Sequence, residues 1–94
     1  MRYAAVIDQA GITMEDYQKV IAVLGTEPPA GRLAHAVGVS GDGLRFVNIW
    51  ETREHASKFE RERLLPAFAQ VFGDRPPTRP QVSELDVADY IGAS

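Results

Sequence analysis

A chain of 94 residues is long enough for one domain around one small core, which buries only about 60–65% of the surface its unfolded form exposes. Thirteen acidic against ten basic residues, a net charge of −3 and no basic run remove the electrostatic footprint of a nucleic-acid or anionic-membrane binder. With no cysteine there is no disulfide, thiolate nucleophile or zinc knuckle, and 45% hydrophobic with 24% charged residues is the balance of a soluble globular protein.

The N-terminus opens directly into an alternating pattern without a signal-like apolar core, and no apolar run approaches the ~20 residues of a membrane span. A cytoplasmic protein is expected. Residues 3–9 carry β-formers in alternation and stop at Ala10-Gly11, which reads as a first strand. Thr13 followed by Asp16 is a shortened capping box, and Met14, Tyr17, Val20, Ile21 and Leu24 recur at helical spacing before the stop at Gly25. Glu27-Pro28-Pro29-Ala30-Gly31 is a stiff loop, since two prolines exclude helix and supply no ladder donors.

Residues 33–51 read as two strands around Asp42-Gly43, a pair suited to a two-residue type I′ turn because both tolerate positive φ. That turn sets Val37 opposite Asn48 and His35 opposite Trp50. Alternation gathers His35, Val37, Phe46, Asn48 and Trp50 on one face and Ala34, Ala36, Val47 and Ile49 on the other.

Thr52 caps a second helix in which Ala56, Phe59, Ala67 and Val71 share an arc widened by Leu64 and Phe68, while Glu54, Lys58, Arg61 and Glu62 face water. Pro66 lies inside this helix, removes a backbone bond and crowds the preceding turn, so a kink or break is expected near Leu65. Beyond it, residues 67–72 are apolar nearly all round and call for a cover such as a second subunit. A Pro-rich connection over 73–80 leads to a last strand over 81–90, with Val82, Leu85 and Val87 as its apolar positions.

This order predicts an α+β, ferredoxin-like βαββαβ fold over residues 1–94: a four-stranded antiparallel sheet with two helices on one face. The helices cover one face only. His35, Phe46, Asn48 and Trp50 are expected on the other, open face, where two copies would enclose them in a cleft.

One stretch sharpens the reading. Asn48-Ile49-Trp50-Glu51-Thr52-Arg53-Glu54-His55-Ala56-Ser57-Lys58-Phe59 is an aromatic-rich strand ending in Trp-Glu, then a polar turn, then a helix with Ala and Phe at fixed offsets. With the later Leu65-Pro66-Ala67 it resembles the dimeric α+β barrel superfamily, and within it the antibiotic biosynthesis monooxygenase-like (ABM-like) proteins. The resemblance implies a homodimer with a small aromatic or apolar ligand. The superfamily includes cofactor-free quinone-forming monooxygenases, haem-degrading enzymes, small isomerases and cyclases, and stress-response proteins, so fold alone does not choose among them. Haem-degrading members place an Asn on the first strand, a Trp within the second helix and an iron-ligating His further along it. Here those positions hold Asp8, Phe59 and a residue close to Ala69, and haem degradation is set aside. Quinone-forming members resemble this chain in an inner-strand Asn and Trp, which map to Asn48 and Trp50; for their additional Tyr and Arg, Tyr90 and Arg63 are available.

On this basis His35 and Asn48 are the candidate catalytic residues, the first because its ordinary pKa lies near neutrality, the second because an amide among aromatics needs a partner. Trp50, Phe46, Phe59 and Arg63 are the candidate substrate-binding residues. Each has a structural alternative: packing for the aromatics, an interface hydrogen bond for Asn48, and an ion pair with Glu60 or Glu62 for Arg63. His55 is expected in solvent. No metal site is expected, since the two histidines fall on different elements without ligand spacing, and no serine has a nucleophile-elbow pattern. The leading expectation is a homodimeric, cofactor-free monooxygenase acting on an aromatic or polyketide-like molecule. The alternatives are a cyclase or isomerase using the same cleft, and a non-catalytic binding or dimerisation domain.

Overall fold

The computed structural model describes residues 1–75 and 78–91. In chain order come β1 (Arg2–Ala10), α1 (Met14–Leu24), β2 (Arg32–Ser40), β3 (Gly43–Trp50), α2 (Arg53–Phe59), a π-helical turn (Glu60–Leu64), α3 (Leu65–Phe72) and β4 (Gln81–Val87). The sheet runs β2-β3-β1-β4 with every neighbouring pair antiparallel, which is the ferredoxin-like arrangement. Among the described residues no helix is long and apolar enough to cross a membrane.

The capping box at the start of α1 is complete: the Asp16 N–H donates to Thr13 Oγ1 and the Thr13 N–H to Asp16 Oδ2, each at 3.1 Å. The second bond holds the Asp16 carboxyl below its usual range. Gly25 ends the helix at φ +84°, a left-handed conformation that a glycine takes without a Cβ penalty.

The hairpin turns one residue earlier than the sequence suggests. Gly41-Asp42 forms the loop, Ser40 faces Gly43, and His35 faces Asn48 instead of Trp50. Only Gly41 of the loop pair has positive φ, the type II′ pattern in place of type I′. Gly43 is claimed by the ladder, because a Cβ there would run into the backbone of Gln9 and Ala10 on β1. The facing pairs shift by two positions, so the grouping of side chains by face survives.

The face that the helices cover is the opposite of the one expected. Tyr3, Ala5 and Ile7 of β1 lie with Leu44, Phe46, Asn48 and Trp50 of β3 and His35 of β2, and α1 and α2 pack on this side. Tyr3, Ala5 and Trp50 form the buried cluster, with Ile7, Ala56 and Phe59 against it. His35, Phe46, Asn48 and Trp50 are therefore on the helix side and not on the open face: Trp50 is buried, Phe46 and Asn48 are half-buried, and His35, on the edge strand β2, is exposed. The physical reason is area: the larger apolar side chains share that face, so covering it removes more apolar surface from water. The open face carries Ala4, Val6, Ala34, Ala36, Val47, Ile49 and Leu85, with the Asp8–Arg45 ion pair at 2.7 Å beside them.

Pro66 neither breaks the second helix nor ends it. The Leu65 N–H bonds the Glu60 carbonyl five residues back, and the π-turn so formed lets Pro66 enter in the first turn of α3, where a missing N–H is tolerated. Along α3, Ala67 is buried, Phe68, Val71 and Phe72 are half-buried, and Leu65 is 52% exposed. β4 stops at Val87, three residues before the expected end. Tyr3 and Arg53 fasten it: the Tyr3 hydroxyl donates to Glu84 Oε1 at 2.8 Å and the Arg53 guanidinium to Glu84 Oε2 at 3.0 Å. Of the Pro-rich connection, Pro76 and Pro77 lie outside the described residues; beyond them Thr78 Oγ1 donates to the Ala10 carbonyl at 2.8 Å.

Candidate functional site

His35 and Asn48 stand directly across the β2–β3 ladder on the helix side. At this separation their side chains touch, and His35 Nδ1 lies 2.6 Å from Asn48 Oδ1. An amide oxygen only accepts, so Nδ1 carries the hydrogen and Nε2 is left as the acceptor of a neutral ring. The Tyr17 hydroxyl from α1 lies 2.8 Å from that Nε2 and donates to it. The three side chains thus form a chain, Tyr17 to His35 to Asn48, with the tautomer of His35 fixed by the amide. Phe46 walls it, its ring 5.5 Å from that of Tyr17. Burial raises the Tyr17 pKa above the ordinary tyrosine value, which keeps the phenol protonated at neutral pH.

A groove of about 830 Å³ lies between the loop carrying Pro28 and Pro29 and the α2–π-turn rod, and Tyr17, His35, Phe46 and Asn48 are not among the residues that line it. That volume falls in the range of small-molecule sites, roughly 300–1,000 Å³. Phe59 and Arg63 line it, with Leu24, Thr52, His55 and Lys58. Arg63 forms no ion pair with Glu60 or Glu62 among the described residues. Its guanidinium donates to the carbonyls of Leu24 and Glu27 at 3.1 and 3.3 Å and sits 5.4 Å from the centre of the Phe59 ring. Phe59 and Arg63, four residues apart, lie on one side of the rod.

Trp50 is placed differently from its expected role. It is 3% exposed, faces Tyr3 across the ladder and packs on Phe59 at 5.6 Å, so it is a core side chain with no surface to offer a ligand. His55 is also not in solvent: it is half-buried, lines the groove, and lies against Gly31 so closely that a Cβ there would overlap its ring. Its Nδ1 is 2.7 Å from Thr52 Oγ1. Tyr17 was read from the sequence as one more apolar position of α1. The signal that singles it out is its hydroxyl, on a helix that must cross the strand bearing His35.

These features define a class: an α+β domain with the ABM-like fold and a polar relay between its sheet and first helix. In particular, the chain is similar to Rv0793 from Mycobacterium tuberculosis, with 18% identity, a TM-score of 0.65 and coverage of 96% of this chain and 98% of that one. It is also similar to the ActVA-Orf6 monooxygenase of Streptomyces coelicolor, solved with nanaomycin D, at 17% identity, TM-score 0.55 and coverage of 99% and 92%. The haem degrader MhuD of M. tuberculosis, solved with two hemes in its active site, matches at 20% identity, TM-score 0.56 and coverage of 97% and 98%. At these identities the likeness is one of fold. No protein-family model matches the sequence, and no curated protein matches it significantly.

Proposed function

We propose that the chain is a homodimeric monooxygenase of the cofactor-free kind, acting on an aromatic or polyketide-like molecule bound on the helix side of the sheet. The observation that carries this reading is His35 held at both nitrogens, by Asn48 at 2.6 Å and by Tyr17 at 2.8 Å. With Nε2 occupied, His35 acts through Tyr17. A substrate phenol or enol gives its proton to the Tyr17 oxygen as the Tyr17 proton passes to Nε2. The imidazolium formed is steadied by Asn48 Oδ1 on the opposite nitrogen. The electron-rich anion then reduces dioxygen directly, one oxygen atom staying on the ring and the other leaving as water. Phe46 and Phe59 supply apolar wall, and Arg63 a positive charge towards the developing anion. The Ala- and Val-rich open face, with Val47 39% and Leu85 53% exposed, supports pairing with a second copy through the sheets.

The test is oxygen uptake by the purified protein over a panel of naphthols, anthrones and hydroxyanthraquinones. The wild type should turn over at least one of them to a quinone. Tyr17→Phe, His35→Ala and Asn48→Ala should each lower turnover by about 10²-fold or more, the usual weight of acid–base catalysis, with unchanged circular dichroism. Turnover unaffected in all three, or none by the wild type on any phenol of the panel, would reject the assignment.

A further inference from the structure

His55 meets the groove with its ring held on two sides. Thr52 caps α2 through its hydroxyl, which accepts the His55 backbone N–H at 3.1 Å; any residue but proline at 55 would make that bond. The imidazole adds a contact of its own, with Nδ1 2.7 Å from the same Thr52 Oγ1. Its other edge lies against Gly31, where the missing Cβ makes room for it, and the Glu51 N–H bonds the Gly31 carbonyl at 2.7 Å, tying that loop to the end of β3. A hydroxyl on one side and loop backbone on the other fix the direction in which the ring points.

The same bonds fix its tautomer. Thr52 Oγ1 already accepts one hydrogen bond, and among the described residues Nδ1 is the one acceptor beside it for its own hydrogen. Nδ1 therefore accepts, and the neutral ring carries its hydrogen on Nε2. A protonated ring carries one there as well, so Nε2 is a donor in either state. It has no protein partner among the described residues, where no buried side-chain nitrogen or oxygen is left unpaired. Nε2 thus reaches solvent, and the groove is the opening that His55 lines.

The remaining walls define what would take that bond. At about 1.5 Å per residue, Phe59 follows His55 by about 6 Å along the rod, and its ring is flanked by Trp50 at 5.6 Å and the Arg63 guanidinium at 5.4 Å. Leu24, Pro28 and Pro29 supply apolar surface facing it, which suits a flat apolar ring. The charges around the groove are of both signs, Glu27, Glu54 and Glu62 against Lys58 and Arg63, and such a mixture gives an anion no net attraction. A neutral oxygen acceptor fits the donor better.

We propose that His55 is the group that recognises the ligand in this groove, its Nε2–H donating to a ring carbonyl of an aromatic molecule lying against Phe59, with Thr52 as the positioning residue that aims it. This rests on the aromatic ligand of the reading above and adds which of its groups is held, and by what. A donor already fixed in direction loses little freedom on binding.

Calorimetric titration with 1-tetralone and tetralin, which differ in one ring carbonyl, tests the donor. The ratio of the two affinities should move against 1-tetralone by about fivefold or more in His55→Leu, the weight of one neutral hydrogen bond. It should stay within about twofold of the wild-type ratio in His55→Gln, whose amide keeps an N–H. The infrared carbonyl band of bound 1-tetralone reads the same bond in the wild type itself: it should lie lower than in hexane, stay low in Thr52→Ser, and rise in His55→Leu and Thr52→Ala. A ratio unmoved by His55→Leu, or a wild-type band no lower than in hexane, would overturn the donor and leave the aromatic groove standing. Binding of neither probe would reject the groove and the donor together, while the relay stands or falls on oxygen uptake alone.

Discussion

Replacing Tyr3 with phenylalanine isolates the fastening of β4 and gives it a pH signature. The Tyr3 ring is 6% exposed, its hydroxyl donates to Glu84 at 2.8 Å, and the Arg53 guanidinium lies 4.8 Å from its centre. Burial, and next the bond to the Glu84 carboxylate, push the Tyr3 pKa up from 10.0 to about 12. A tyrosine whose folded pKa lies above its unfolded one contributes stability that is complete below pH 10 and lost as pH rises towards 12. Each pH unit of separation corresponds to about 1.4 kcal/mol, so the whole alkaline limb amounts to about 2–3 kcal/mol. At neutral pH, Tyr3→Phe removes one hydrogen bond to a half-exposed carboxylate that water can then solvate, a loss of about 1 kcal/mol. Urea unfolding of both proteins from pH 8 to 12 reads the two effects. The wild type should be the more stable at pH 8, and its stability should fall about 2–3 kcal/mol further than that of Tyr3→Phe by pH 12, bringing the two curves together and then across. Curves that run parallel over this range would refute the argument.

Two other substitutions probe the loop and the open face. Gly31 has φ +82° and lies against the His55 ring, so Gly31→Ala combines a left-handed backbone penalty with a steric overlap and should destabilise the protein by about 2 kcal/mol or more; a thermal midpoint lowered by roughly 10 °C or more checks this. Val47→Asp places a charge at the centre of the Ala- and Val-rich face and should convert a dimer to a folded monomer, read by light scattering with unchanged circular dichroism. A wild type already monomeric at high micromolar concentration would reject the sheet-to-sheet pairing.

Element order, the capping box at Thr13, the cap at Thr52 and the grouping of His35 with Asn48 were legible because they rest on spacing and local chemistry. Period-two alternation states which side chains share a face but carries no sign for which face the helices will take. The missing sign lay in bulk: Tyr3, Ile7, Leu44, Phe46 and Trp50 on one side against Ala4, Ala34 and Ala36 on the other. The turn was misread for a comparable reason. Asp42-Gly43 is the stronger local signal for a type I′ turn, yet Gly43 is consumed by its close approach to Gln9 on β1, a contact across the sheet that no local rule contains. Tyr17 was missed as a partner of His35 because it reads as a core position of a helix, and the side taken by Arg32 was not legible because it depends on a one-residue slip in the ladder.

The π-turn at Glu60–Leu64 works as a phase adjuster. At about 100° per residue, eight residues of straight α-helix would set Ala67 about 80° round the axis from Phe59, and twelve would set Val71 about 120° away. One extra residue taken up in a wide turn subtracts roughly 100°, which brings Phe59, Ala67 and Val71 to within about 20° of a common line. The rod is thus out of register with itself by one residue, and that offset lets its first half cover Trp50 while its second half covers α1. Deleting a single residue such as Arg61 would leave a smoother helix with its two apolar halves facing different directions, so length over 60–64 is under tighter constraint than the identity of the exposed side chains there.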